Sequence, residues 1–204
     1  MQSSNIRSLV FIALFAALFI VMSSLSIKLG AGIVPITLQT LAVALAGLFL
    51  TPRNAFLSIF VVIVLAAFGL QLFSGQGGIP YLTGATGGFI FAFPFCALFV
   101  SLAVGAFLRS DVSKRNKLIA FIVFFIIFEL FSSLFAYVPG IPWLMHITDF
   151  SFAKAMSVGF VPFIIGDALK SAAAAILAIT LTPYIVHIRT STVNNKAEQG
   201  AYNG

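Results

Sequence analysis

Asp167 and Lys170 lie three residues apart in an otherwise apolar stretch running from Val158 to Ile188. An ionised side chain at the centre of a bilayer helix costs about 2.5–3.5 kcal/mol even on insertion-based scales, so a charge there faces a partner, a cavity or a substrate. A spacing of three puts both side chains on one helix face, where they can pair. Helical side chains also lean toward the N-terminus, which aims both at whatever space lies above the start of that helix. Two roles follow: a structural ion pair, or a site in which Lys170 meets an anionic ligand.

The segment from Val34 to Thr40 carries a second set of polar groups, Thr37, Gln39 and Thr40, at the head of an apolar run. Pro35 is compatible with a helix start and Thr37 with a cap. Capping does not account for Gln39, whose amide is costly in apolar surroundings unless bonded and which offers a ligand both donors and an acceptor. A third set lies in the glycine-rich run Gly75–Phe89, where Tyr81, Thr83 and Thr86 bring an aromatic face and hydroxyls, and glycines such as Gly84 allow close backbone approach. The run lacks the Gly-Lys-Ser/Thr ending of a phosphate loop. Ala13 and Ala17, with Ala16 beside them, make a small-xxx-small pattern that lets another helix approach closely. Glu129 stands mid-segment near Ser132 and Ser133, either buried structurally or part of a proton relay. His146 and His187 fall on opposite sides of the expected topology, and neither an HExxH pattern nor a nucleophile elbow occurs, so no metal, cofactor or catalytic residue is assigned.

The elements that must position these residues are membrane helices. The chain has 204 residues, 61% hydrophobic and 8% charged, with mean hydropathy +1.14, whereas soluble domains carry about 25% charged residues. Six apolar runs, Leu9–Ser24, Ile33–Leu50, Ala55–Leu72, Gly88–Leu108, Leu118–Tyr137 and Val158–Ile188, predict an all-α integral membrane bundle of six crossings. Arg7 and the small residues after the first run also fit a cleavable leader, whose loss would leave an odd number of segments. With six crossings, Arg7, Arg53, Arg109, Lys114, Arg115, Lys117, Arg189 and Lys196 share one side and only Lys28 and Lys154 lie opposite, which makes both termini cytoplasmic. The net charge of +6 is thus a topology signal rather than a nucleic-acid footprint. Outer loops one, three and five are expected to be long. The first holds Lys28, Gly30, Gly32 and Pro35; the third spans Gln71–Gly87; the fifth runs from Val138 through Trp143 and His146, with Asp149 capping a short helix. Such loops can roof a cavity. Residues 1–188 form one membrane domain and 189–204 a polar cytoplasmic tail expected to be disordered, while the single Cys96 is assigned to inert packing.

In order, the Pro35–Thr40 motif, the Gly75–Phe89 loop leading into Pro94, the Gly140–Leu144 turn with Trp143 and the Pro162–Lys170 segment resemble the BioY family, the biotin-specific S components of energy-coupling-factor transporters. The likeness covers helices one to six and departs at Ala85, where the family pattern has proline, and at Tyr81. It implies a bacterial cytoplasmic-membrane protein that binds biotin from outside, without a cofactor, and works with a transmembrane T component and two cytoplasmic ATPases. Carried over, Asp167, Lys170, Gln39, Thr37, Tyr81, Thr86 and Gly84 are substrate-binding residues, and Ala13 and Ala17 face the T component. The chain has no Walker motif, so uphill transport needs those partners. A self-sufficient proton-coupled importer using Glu129, Asp167 and Lys170, and an intramembrane enzyme with Lys170 as base or nucleophile, are the competing classes.

Overall fold

The computed structural model describes residues 2–27, 34–110 and 116–202. Lys28, Gly30 and Gly32 of the first outer loop, and Lys114 and Arg115, lie outside the described residues. All six apolar segments appear as helices in the expected order. They are α1 (Gln2–Ser24), α2 (Gln39–Phe49), α3 (Pro52–Ala67), α5 (Gly87–Leu108), α6 (Lys117–Phe128) with its continuation, and the long α9 (Ile164–Tyr202). Short α4 (Ile79–Leu82) sits between α3 and α5. The segments Ile6–Ser24, Gly87–Leu108, Lys117–Thr148 and Ile164–Arg189 are long and apolar enough to cross a membrane, whereas α2 and α3 have 11 and 16 residues. At 1.5 Å per residue α2 is roughly 16 Å long, about half a hydrocarbon core.

The second helix is short because its chain starts extended. Ile36–Thr37 (β2) pairs antiparallel with Ser26–Ile27 (β1), in register Ser26↔Thr37 and Ile27↔Ile36, so the helix begins only at Gln39. Thr37 therefore lies outside the helix instead of at its cap: its Oγ1 accepts from the Gln39 N–H at 3.3 Å and donates to Gln39 Oε1 at 3.1 Å.

Loop five is largely helix, contrary to its reading as a long outer loop. After α6 a π-helical turn, Glu129–Leu134, leads directly into α7 (Phe135–Thr148), with Pro139 and Pro142 in its interior. Proline is disfavoured there because it lacks an N–H and crowds the preceding turn, yet Gly140 packs so tightly on Phe89 that a Cβ would sit 2.4 Å from its ring, which locks the helix against α5. Asp149 is the left-handed residue ending α7 (φ 56°), and Ser151, not Asp149, caps the following α8 (Phe152–Gly159) by accepting from Lys154 N at 3.4 Å.

The last apolar run also breaks. Between Gly159 and Ile164 the chain turns, with Pro162 unable to continue the hydrogen-bond ladder, so Asp167 falls in the first turn of α9. At its other end the backbone stays helical through Tyr202, where the sequence leads one to expect a disordered tail. Arg189, counted in the sequence only as a topology signal, reaches back to the Gly47, Leu48 and Ser101 carbonyls at 3.0, 2.9 and 2.6 Å. Its cation meets the unsatisfied C-terminal carbonyls of α2, the end favourable to positive charge.

Helix α5 is the centre of the bundle, packed on α2, α3 and α7; α9 lies against α6 and α2, and α1 against α2 and α3. Phe19 of α1, Phe124 and Phe128 of α6, Val43 and Leu48 of α2 and Val100 of α5 are fully buried. Phe19 makes α1 part of the core. At Gly47 a Cβ would sit 2.4 Å from Val100, so glycine sets the α2–α5 separation. The outward faces remain apolar, with Leu9, Val10, Phe95, Leu102, Ile122, Ile126 and Ile176 exposed, a surface suited to lipid.

Candidate ligand site

The buried pair is built from three helices. Lys170 Nζ stands 2.6 Å from Asp167 Oδ1 and donates to the Thr37 carbonyl at 3.1 Å. Asp167 also accepts from Thr40 Oγ1 on α2 at 3.1 Å and from the Tyr137 hydroxyl on α7 at 2.5 Å. The side chains are 2% exposed for Asp167 and 11% for Lys170. A buried ion pair repays its desolvation only when its remaining polar sites are bonded, and here both carboxylate oxygens are engaged. The position in the first turn of α9 adds the favourable end of the helix dipole. Tyr137 is held for its task between Phe89 and Phe160, with ring centroids 5.8 and 4.8 Å away. An ammonium has three donors; among the described residues two of them are engaged, and the third is the one to meet an incoming acceptor.

Next to the pair lies a cavity with about 550 Å³ of non-protein space, part of it open to solvent. Thr37, Gln39, Tyr81 and Thr86 line it, together with Ser23, Phe73, Phe93 and Phe163. Asp167 and Lys170 stand behind its wall, joined to it through the Thr37 carbonyl. Gln39 Nε2 donates to Ser23 Oγ at 3.1 Å while Oε1 accepts from Thr37, so the amide is oriented and retains one N–H and one lone pair for a ligand.

The glycine-rich loop closes another side. Tyr81 stacks on Phe73 at 5.6 Å, and burial pushes its phenol above the usual tyrosine range, partly offset by its hydrogen bond with Thr86. Thr83 instead donates to the Ile79 carbonyl. Gly84 is not in the lining; its carbonyl accepts from Trp143 Nε1 at 2.9 Å and thereby ties the loop to α7. Trp143 also lies over Gly88, where an added Cβ would come within 2.4 Å of the tryptophan Cβ and 2.8 Å of its indole. Ala13 and Ala17 are exposed on α1 beside Val10, Leu14 and Val21, while Ala16 turns into the core.

Residues that the sequence did not single out include Ser23, Phe73, Phe163 and Tyr137. Ser23 and Tyr137 end apolar runs, a polar-terminus signal that also fits simple interfacial placement, and Phe73 is one of 24 phenylalanines.

Comparison with known proteins follows the same lines. Residues 1–186 match the model of the BioY family. The chain is 39% identical over 176 residues to the "Probable biotin transporter BioY" of Bacillus subtilis (strain 168), covering 84% of this chain and 88% of that protein. It is 34% identical over 188 residues to the "Biotin transporter BioY2" of Lactococcus lactis subsp. cremoris, covering 92% and 96%. Its fold superposes with a TM-score of 0.77 and 25% identity on the crystal structure of the S-component for biotin from an ECF-type ABC transporter, over 90% of this chain and 94% of that one. With an apolar helical surface, a cavity walled by aromatic side chains around Gln39 and Thr37, and this match along nearly its whole length, the chain is a multi-pass, all-helical membrane protein that belongs to the BioY family.

Proposed function

We infer that the protein is the substrate-binding S component of an ECF-type biotin transporter, a non-enzymatic subunit that captures biotin and passes it inward. The observation that carries this reading is an oriented amide in the cavity lining with a cation directly behind the wall: Gln39 held by Ser23 and Thr37, and Lys170 held on the other side of Thr37. Biotin is an amphiphile with the matching parts. Its ureido group suits Gln39 and Thr37, its carboxylate suits the free donor of Lys170, and its apolar rings and chain suit Phe73, Tyr81 and Phe93. Asp167, with both oxygens occupied, gives the lysine a counter-charge and aims it, and Thr86 steadies Tyr81 beside the cavity.

The cavity belongs to the outer face of a bacterial cytoplasmic membrane, with six crossings, both termini inside and the polar residues from 189 onward as a cytoplasmic tail. The shorter α2 and α3 complete the crossings by continuing through their extended and turn segments. A transmembrane T component docks on the Ala13–Ala17 face and two cytoplasmic ATPases supply the energy. Native mass spectrometry of the purified protein tests the substrate: release of unchanged biotin supports the reading, and release of a chemically altered product or of an unrelated ligand sinks it.

A further inference from the structure

The amide of Gln39 has two orientations that exchange its nitrogen and its oxygen, and a ligand meets a different face in each. The structure selects one of them through a chain of bonds that starts in α1. Ser23, in the last turn of α1, is 1% exposed, and its hydroxyl donates to the Phe19 carbonyl at 2.6 Å. A hydroxyl has one proton. With that proton spent on its own helix, Ser23 Oγ accepts, and what it accepts is Gln39 Nε2 at 3.1 Å. At the other end of the amide Thr37 Oγ1 takes the Gln39 backbone N–H, so its own proton goes to Oε1. A reversed amide would set Oε1 against an oxygen with no proton to give. The end of α1 is itself fixed. Phe19 is fully buried, edge-on to Phe73 and Phe93 with ring centroids 6.2 and 5.9 Å away. The Ser23 carbonyl, one of those a helix leaves unsatisfied at its C-terminus, accepts from Ser74 Oγ at 2.7 Å.

We propose that Ser23 is a positioning residue that sets ligand specificity: with its proton committed to Phe19, it makes Gln39 present one N–H and one carbonyl lone pair in a fixed order to the cavity that Ser23, Thr37 and Gln39 line. This rests on the ligand reading above. That face fits a planar ring in which an N–H stands next to a C=O, the pattern of a cyclic urea or lactam. A cyclic guanidinium offers donors alone and leaves the Gln39 N–H facing another donor, and sites that would leave a buried polar group unpaired discriminate strongly. Without the Ser23 acceptor the amide is free to turn and offer Oε1 to the guanidinium. Lys170 also disfavours a cationic ring, but does so equally whatever stands at position 23, so a change in preference reports on the amide.

Titration calorimetry on the full chain in nanodiscs at neutral pH tests this by comparing biotin with 2-iminobiotin, its cyclic guanidinium analogue. In Ser23→Ala the preference for biotin is expected to shrink about tenfold, the worth of one such hydrogen bond, with the analogue gaining affinity while biotin loses it. Ser23→Thr, which keeps a hydroxyl able to bond the carbonyl four residues back, should restore the preference. An unchanged ratio in Ser23→Ala, an equal loss for both ligands, or a change instead in the preference for biotin over its uncharged amide would each overturn the proposal. The side-chain amide protons of Gln39, assigned by NMR against Gln39→Ala, give a readout that needs no ligand. One of them should exchange slowly in wild type and lose that protection in Ser23→Ala; equal exchange in both proteins would overturn the proposal. If protection is lost as expected but wild type gives no binding heat with biotin, the fixed amide stands and the biotin reading falls. If Ser23→Ala does not fold, Ser23→Cys, close in size but a weak acceptor, is expected to move the ratio and the exchange in the same direction, and no movement in either overturns the proposal.

Discussion

Asp167 accepts from Lys170, Thr40 and Tyr137 at once, so the carboxylate is already committed before any ligand arrives. On the proposed function that separates the duties of the pair: Asp167 positions, and Lys170, with a donor that no described residue engages, is the group to meet the ligand. Asp167→Asn strips a buried ammonium of its counter-charge, and breaking one partner of such a pair costs about 3–5 kcal/mol. A clear drop in thermal stability is expected, with biotin retention falling alongside it; a melting profile equal to wild type would refute the structural role. Gln39→Ala removes the amide and frees Ser23 Oγ, and with roughly 1–2 kcal/mol at stake biotin affinity should fall about tenfold with the fold unchanged, as read by calorimetry and circular dichroism. The residue scale was the most legible part of the sequence. A charge pair in an apolar run is conspicuous because it is expensive, and Gln39 stands out for the same reason. Tyr137 and Thr40 were not legible as partners of Asp167, since they converge on it across separations of 30 and 127 residues that only packing brings together.

At the scale of elements, hydropathy located six apolar runs but not the ends of their helices. It carried the last run from Val158 through the turn at Pro162 into α9, because apolar composition continues through a backbone break. The reverse error occurred after Tyr137, where Pro139, Gly140 and Pro142 look like a loop yet sit inside α7. Local propensity loses there to tertiary packing, with Phe89 filling the space that Gly140 leaves open and Trp143 anchoring the glycine-rich loop. Tight helix contacts give the sharpest prediction at this level. Gly47→Leu drives a side chain into Val100, where even a Cβ would stand at 2.4 Å, and overpacking of this kind costs about 1–3 kcal/mol. The variant should unfold at lower temperature in the same lipid or detergent, while Gly69→Ala tests a different effect, since nothing lies within 4 Å and only its φ of +94° resists the change.

The whole molecule presents two faces with different demands. One carries the cavity beneath the glycine-rich loop; the other is the exposed stripe of α1 in which Ala13 and Ala17 lie among larger apolar residues. Because neither alanine packs into the core, Ala13→Trp should leave biotin binding intact while blocking assembly with a T component, a separation that co-purification and calorimetry on the same preparation can read. Normal co-purification would remove α1 from the docking surface. Arg189 closes the opposite end of α9 on α2 and Ser101, so the helices that carry Lys170 and Gln39 are joined at both ends and can hold the two ligand groups at a fixed separation.

The most direct measurement is the affinity of wild type and Lys170→Ala for biotin and for its uncharged amide, by titration calorimetry on folded protein. A charge-assisted hydrogen bond contributes about 1.5–3 kcal/mol, so biotin should bind the variant roughly ten- to a hundredfold more weakly, while the amide binds both proteins alike. Equal affinity of wild type and Lys170→Ala for biotin would contradict the assignment of Lys170 as the partner of the ligand carboxylate.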